Sequence, residues 1–371
     1  MIISSLRAAG FRNLASSVVG TSSKNVFLVG ENGQGKTNFL EALYFCAYAS
    51  SFRGACNKDL AQDGASDFSV AITIAESGSV EKVHSEVLIK SEKEKKVVLI
   101  NGKRTEDRKE LLSVVPCIVF CHEDMEFVKG SPEDRRWFFD QVLSLYDPVY
   151  LDDLRCYRRA IRSRNIVLRD NLKQKLDGSP ETLLEALDCQ CAFYGTRVME
   201  KRETAAKLFS EVFTPLYEEV SGISGMTVSY TPSWKTSGEK EALDWLSRRR
   251  PIDMAAGVSL SGPHRDRYLF SIGTTNFVTN ASTGQRRLLA LLLRVAQACR
   301  FSETTGRKPV LLLDDVLLEM DGEKRRRFLS VLPGYDQAFF TFLPEEPFHQ
   351  YQREDTMVYY VRDGRMEAEC M

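Results

Sequence analysis

Residues Gly30 to Thr37, reading GENGQGKT, have the types and spacing needed to hold a nucleoside phosphate. Gly30, Gly33 and Gly35 let the backbone curl so that consecutive N–H groups turn inward toward phosphate oxygens. Glu31, Asn32 and Gln34 lend their backbone groups to the same cradle. Lys36 offers a point charge to the β and γ phosphates, and the Thr37 hydroxyl offers an oxygen to Mg2+. A plain glycine-rich turn would not require lysine followed by threonine. A second group stands 277 residues beyond Thr37, in "PVLLLDDVLLEMD". An apolar run from Val310 to Leu313 ends at Asp314, and open α/β sheets place ligands at the carboxyl ends of their strands. Asp314 is expected to hold magnesium, directly or through water. Asp315 is expected to polarise the water that attacks the γ-phosphate. Two acids at a strand end are commonly just solvated; beside a complete phosphate loop they read as its partner.

A third stretch, "NASTGQRRLLALLLRVAQACR", puts Ser282 where a helix N-cap belongs and Gly284 and Gln285 in the first turn. Serine, glycine and a free helix N-terminus together make an anion site. Lys36 already occupies the γ-phosphate end of its own site, so this second one is expected to face the nucleotide of another subunit. As pure structure it is a well-capped core helix.

The elements that must position these groups follow from periodicity. "KNVFLVG" reads as a buried strand and "KTNFLEALYFCAYAS" as the helix after it. "DFSVAITIAE", "VHSEVLIKS" and "KKVVLINGKR" alternate apolar and polar residues around the breaks "SGS" and "EKE", which predicts an antiparallel meander. "VVPCIVFCHED", "PVLLLDD" and "DQAFFTF" read as further core strands. From Pro132 to Arg250 apolar residues recur at helical spacing amid dense charge, across a "DGSP" turn. Short strands are expected from Met254 to Phe277. The fold class is α/β, with a nucleotide-binding core split in sequence (1–131 and 254–371) and an inserted, mainly helical lobe (132–253).

The 371 residues, 43% apolar, suffice for two such units. Fifty basic residues against 51 acidic ones leave any polyanion-binding surface to a local patch. The nine cysteines form no CxxC pair, and neither Cys189-x-Cys191 nor Cys117-x3-Cys121-His122 has a partner at zinc-ligand spacing. "MIISSLRAAGFRNL" is not a signal peptide, and the apolar run from Leu288 to Leu293 is too short to span a bilayer. A soluble, cytoplasmic protein is expected.

The phosphate loop, "ASTGQRR" and "LLLDDVLLEMD", in this order, resemble the ABC-type ATPases. With "GFRNL" (10–14), "SFR" (51–53), "VKGSPEDRRWFFD" (128–140) and "LSGPHRD" (260–266), the chain is similar over nearly its whole length to the RecF family of bacterial recombination-repair proteins. Three positions depart from related patterns. Cys121-His122-Glu123-Asp124 stands where the family has Ser-Pro-Glu-Asp, Asp315 replaces the glutamate of transporters and SMC proteins, and Thr341 stands where a switch histidine would be. The resemblance implies an ABC-type ATPase head that binds ATP and Mg2+ and hydrolyses ATP slowly. It further implies a homodimer closing on two nucleotides, each held between the phosphate loop of one subunit and the Ser282 helix of the other. DNA, double-stranded or at gapped single-strand junctions, is the implied ligand, and RecR with RecO, and RecA, the implied partners. An SMC-type machine would need long heptads in the insert, which are lacking. A transporter subunit would need a membrane-docking surface, and a small-molecule kinase leaves the Ser282 signature without a role.

Six arginines fall between Arg155 and Arg169, and Arg155, Arg158, Arg159 and Arg162 share one helical face suited to phosphate contacts. Arg248 to Arg250 and Lys324 to Arg327 are further candidates, although such runs are usually solvated or paired with acids such as Asp152, Asp153 and Asp170. His264, Arg265 and Asp266 read either as support for the signature helix or as a nucleotide sensor, with support favoured.

Overall fold

The strand Asn25–Val29 is buried at every position, as a run flanked by strands on both sides must be. In the computed structural model, which describes residues 1–75, 83–92, 95–173, 180–317 and 320–369, it lies inside a six-stranded sheet. Its parallel neighbours are Gln337–Phe342 on one side and Thr356–Arg362 on the other. Val310–Leu313 and Cys117–Phe120 extend the parallel run, and Arg365–Ala368 closes the far edge antiparallel. A second six-stranded sheet is antiparallel throughout and contains the expected meander of Phe68–Ala75, Val83–Glu92, Lys95–Ile100 and Lys103–Thr105. The breaks expected at "SGS", "EKE" and "DGSP" lie wholly or partly outside the described residues.

The helix Lys36–Tyr48 carries one nearly continuous buried run from Phe39 to Ala47. A helix so apolar all round must be enclosed, and it shares one hydrophobic core with residues of both sheets. That enclosure fixes the helix N-terminus, and with it the phosphate loop.

The chain divides into two compact units: Met1–Asp124 with Phe301–Met371, and Met125–Arg300. The sequence reading puts 254–300 with the outer halves; in the structure this segment groups with the second unit. Its strand Arg267–Ile272 pairs along its length with Met226–Thr231, making a separate three-stranded sheet. Short strands were expected from Met254, but the helix Glu239–Ala256 runs through that point and stops at Gly257 (φ 67°). The other described elements of the second unit are helices. Pro132–Tyr146 and Pro148–Leu172 meet at Asp147, which caps the second helix by accepting the Tyr150 N–H at 2.9 Å, with Pro148 ready at its first position. Glu181–Ser221 runs 41 residues to a left-handed glycine, Gly222.

Candidate nucleotide-binding site

The phosphate loop leaves the sheet at Val29 and re-enters regular structure at Lys36, with Gly33 and Gly35 at φ 80° and 115°. No side chain caps the Lys36 helix. Among the described residues, no hydrogen bond uses the N–H groups of residues 31 to 37. A buried helix whose first donors lack protein partners is built for an external acceptor, and phosphate is the acceptor that suits it. The Lys36 ammonium is buried and donates to the carbonyls of Gly30 (2.5 Å) and Glu31 (3.0 Å). Burial lowers its pKa, against the raising pull of Asp315, Asp314, Glu31 and Glu346.

The Thr37 hydroxyl donates to Asp314 Oδ1 at 2.9 Å, so the two residues assigned to magnesium converge. A hydroxyl and a carboxylate make a hard oxygen donor set that fits Mg2+. Asp315 adopts φ 49°, a conformation aspartate tolerates but seldom uses, and its N–H donates to Thr341 Oγ1 at 2.7 Å. The Thr341 hydroxyl also lies 3.3 Å from Asp314 and 3.0 Å from Asp315. Thr341 thus ties the two acids together at the end of Gln337–Phe342. Lys36, Thr37, Asp314 and Asp315 are brought into one site.

Burial, with Asp315 alongside, pushes the Asp314 carboxyl up to about 7. The fold then retains a proton that the unfolded chain has already lost. Stability from this group is full below pH ~4 and disappears as pH rises through about 7. Asp314→Asn is therefore expected to stabilise the nucleotide-free protein at pH 8 by about 1–3 kcal/mol, discounted for partial exposure, and to change little at pH 4.5. Urea denaturation in chelator at the two pH values checks this; an equal shift at both would refute it.

Ser282, Gly284 and Gln285 belong to the second unit, at the start of Thr283–Thr305. Ser282 Oγ accepts the Gln285 N–H at 3.2 Å, and Gln285 Oε1 accepts the Ser282 N–H at 2.8 Å, a reciprocal capping box. Ser282 and Gly284 are exposed.

The arginine face is not uniform. Arg155 is within 3.7 Å of Asp152, and Arg158 donates to Asp140 at 2.9 Å. Arg164 is fully buried between Asp188 and Asp253. Arg250 is likewise paired with Asp188 and Glu185. Arg159 and Arg162 are exposed, and no ion pair involves them among the described residues. In the GPHRD segment, Asp266 is buried and accepts from Arg202, Tyr230 and the Ser233 N–H. His264 bonds the Tyr157 hydroxyl at 2.7 Å, and burial pushes it down to about 4, so the ring is neutral. Both are internal struts immediately before the strand Arg267–Ile272; Arg265 alone is exposed.

Several residues around the phosphate loop hold it in ways their sequence context does not announce. Glu41 is fully buried in the Lys36 helix and takes two bonds from Arg12 (2.9 and 3.2 Å) and one from Ser51, with Arg53 at 3.8 Å. The segments GFRNL and SFR are thereby clamped to that helix. Glu346 accepts the Leu343 N–H at 2.7 Å, while its Oε1 is buried without a hydrogen bond. An acid at an interior helical position, with arginines in the two flanking motifs, was the available signal for the first; the second had none.

The family model for the RecF/RecN/SMC N-terminal domain matches residues 2–366. A DNA replication and repair protein RecF of Treponema pallidum (strain Nichols) is 43% identical over 359 residues, covering 97% of this chain and 99% of that one. The RecF of Moorella thermoacetica is 35% identical over 314 residues, covering 85% and 82%. Among solved structures, the recombination mediator protein RecF with ATP, from the RecFOR pathway, superposes with a TM-score of 0.88 at 26% identity, covering 99% of this chain and 97% of that one. An Smc head bound to the C-terminal winged-helix domain of ScpA gives 0.54 at 16%, which speaks to the fold alone. By the span of the family model and the identity of these relatives, the chain belongs to the RecF family, on an ABC-type ATPase fold.

Proposed function

We propose that the chain is an ATP-gated DNA-binding clamp of DNA replication and recombinational repair. ATP lies on Gly30 to Thr37 with Mg2+ between Thr37 and Asp314, and Asp315 orients the attacking water. Two copies close on two nucleotides, the Ser282 turn of each completing the other's site, and slow hydrolysis reopens them. Closure creates the DNA-binding cleft, and Arg159 and Arg162 are the phosphate contacts that remain available; Arg155 and Arg158 are partly committed to acids. RecR with RecO, and RecA, are the partners that family membership suggests, and the cytoplasm the compartment. Among the described residues no helix is long and apolar enough to cross a membrane. The observation that supports this reading is that Thr37 and Asp314 meet at 2.9 Å beside the glycine-rich loop while Ser282 caps a solvent-facing turn.

Light scattering with ATP, ADP or no nucleotide tests it. A dimer is expected with Mg-ATP only. Ser282→Arg is expected to leave ATP binding by the monomer within about twofold while abolishing the dimer, because a guanidinium would fill the anion-facing turn. If that variant still dimerises on ATP, the shared site is wrong.

A further inference from the structure

The C-terminal hairpin touches the phosphate loop, although its sequence gives no hint of a nucleotide role. Thr356–Arg362 runs parallel to Asn25–Val29 with Tyr360 beside Val29, so the turn beyond it emerges next to the loop. That turn is Asp363-Gly364, with φ 47° and 75°, the two positive values of a tight I′ hairpin. The Gly364 N–H donates to the Gln34 carbonyl at 2.8 Å. The Asp363 N–H donates to Gln34 Oε1 at 2.7 Å. On the other side, Asn13 Nδ2 donates to the Gly33 carbonyl at 3.1 Å, and Asn13 Oδ1 accepts from Asn38 at 2.7 Å. The Asn13 segment and the hairpin are themselves joined, since the Ala15 N–H donates to the Gly364 carbonyl at 2.9 Å.

In a trans peptide the C=O and the next N–H point in opposite directions from one rigid plane. A bond that holds the Gly33 carbonyl outward therefore turns the Gln34 N–H inward, and one that holds the Gln34 carbonyl outward turns the Gly35 N–H inward. We infer that Asn13 and the Gly364 turn are positioning residues for the nucleotide, fixing the two peptide planes whose N–H groups meet the phosphates. This rests on the reading of Gly30 to Thr37 as the ATP site. The fit is tight: a Cβ on Gly364 would lie 1.8 Å from the Asn13 carbonyl, and one on Gly30 would lie 2.5 Å from the Val361 carbonyl. Only glycine permits the approach at either place. Because coupling is reciprocal, a hairpin that shapes the loop must itself be held more firmly once ATP is bound.

The test measures the Kd of a fluorescent ATP analogue, the thermal midpoint and amide exchange over residues 361–366, in the full-length wild type and in Gly364→Ala, Asn13→Ala and Lys36→Ala. The expected result is about a tenfold rise in Kd for Gly364→Ala and for Asn13→Ala, larger than their loss of stability explains. ATP is expected to slow exchange at Asp363 and Gly364 in the wild type and to have no such effect in Lys36→Ala. A merely structural hairpin would lower the midpoint, leave Kd within twofold and show no ATP-dependent protection; that result overturns the inference while leaving the ATP site intact. If Lys36→Ala itself keeps wild-type affinity, the site reading has failed and the inference falls with it. Should Gly364→Ala not fold, Asn13→Ala and wild-type exchange decide the matter.

Discussion

Lys36→Ala is expected to weaken ATP binding at least ~100-fold, about 3 kcal/mol, by equilibrium titration with a fluorescent analogue. Two effects add. The ammonium supplies the charge that meets the β and γ phosphates. It also sits within reach of Asp315, Asp314, Glu31 and Glu346, whose negative charge would otherwise repel a triphosphate. Removing the cation therefore loses an attraction and exposes a repulsion. Lys36→Arg separates the two: it keeps the charge, so binding should survive. The larger planar group does not fit where Lys36 reaches the Gly30 and Glu31 carbonyls, so hydrolysis should stop. An alanine variant that binds within threefold of the wild type would falsify the assignment of Lys36.

The candidate nucleotide site was legible in sequence because the chemistry it calls for is local. Eight consecutive residues specify the loop, and the strand that carries Asp314 announces itself as four apolar residues followed by two acids. What was not legible is whatever the loop depends on from a distance. Gly364 is an ordinary residue in isolation, and its meaning comes from a parallel sheet that sets Thr356–Arg362 beside Asn25–Val29, while Asn13 takes its meaning from Gly33 and Asn38 across the loop. Register between remote strands leaves no mark on periodicity. The arginine cluster shows the opposite failure. Helical spacing correctly put Arg155, Arg158, Arg159 and Arg162 on one face. Spacing could not say which members find acids: Arg155 meets Asp152 on its own helix, but the acid that takes Arg158, Asp140, comes from another. The grouping of 254–300 was missed for a similar reason. Apolar alternation there announces a strand, but its partner is Met226–Thr231, and nothing in Arg267–Ile272 says which sheet it joins.

Arg202 is the position in the second unit where one substitution should do most harm. Its guanidinium is 3% exposed and forms a bidentate pair with Asp140 at 2.8 and 3.0 Å. It also reaches Asp266 at 2.9 Å and the Pro263 carbonyl at 2.7 Å. One cation thereby joins the helices Pro132–Tyr146 and Glu181–Ser221 to the GPHRD turn that leads toward the signature helix. Arg202→Met preserves bulk but removes the counter-charge that Asp266 and Asp140 share, leaving Asp140 with Arg158 alone. Breaking one side of such a network costs about 3–5 kcal/mol, whereas an exposed arginine such as Arg159 should cost under ~0.5 kcal/mol when replaced by alanine. All three tryptophans, Trp137, Trp234 and Trp245, lie in this unit, so their fluorescence during urea denaturation reports on it separately. The penalty belongs to the buried acids left short of positive charge rather than to the lost contacts. Adding Asp140→Asn and Asp266→Asn to Arg202→Met should therefore recover at least ~1 kcal/mol of the loss. If the triple variant is instead less stable than the single one by the full cost of two further substitutions, the acids are held by Arg158, Tyr150, Tyr230 and the Ser233 N–H, and Arg202 is packing alone.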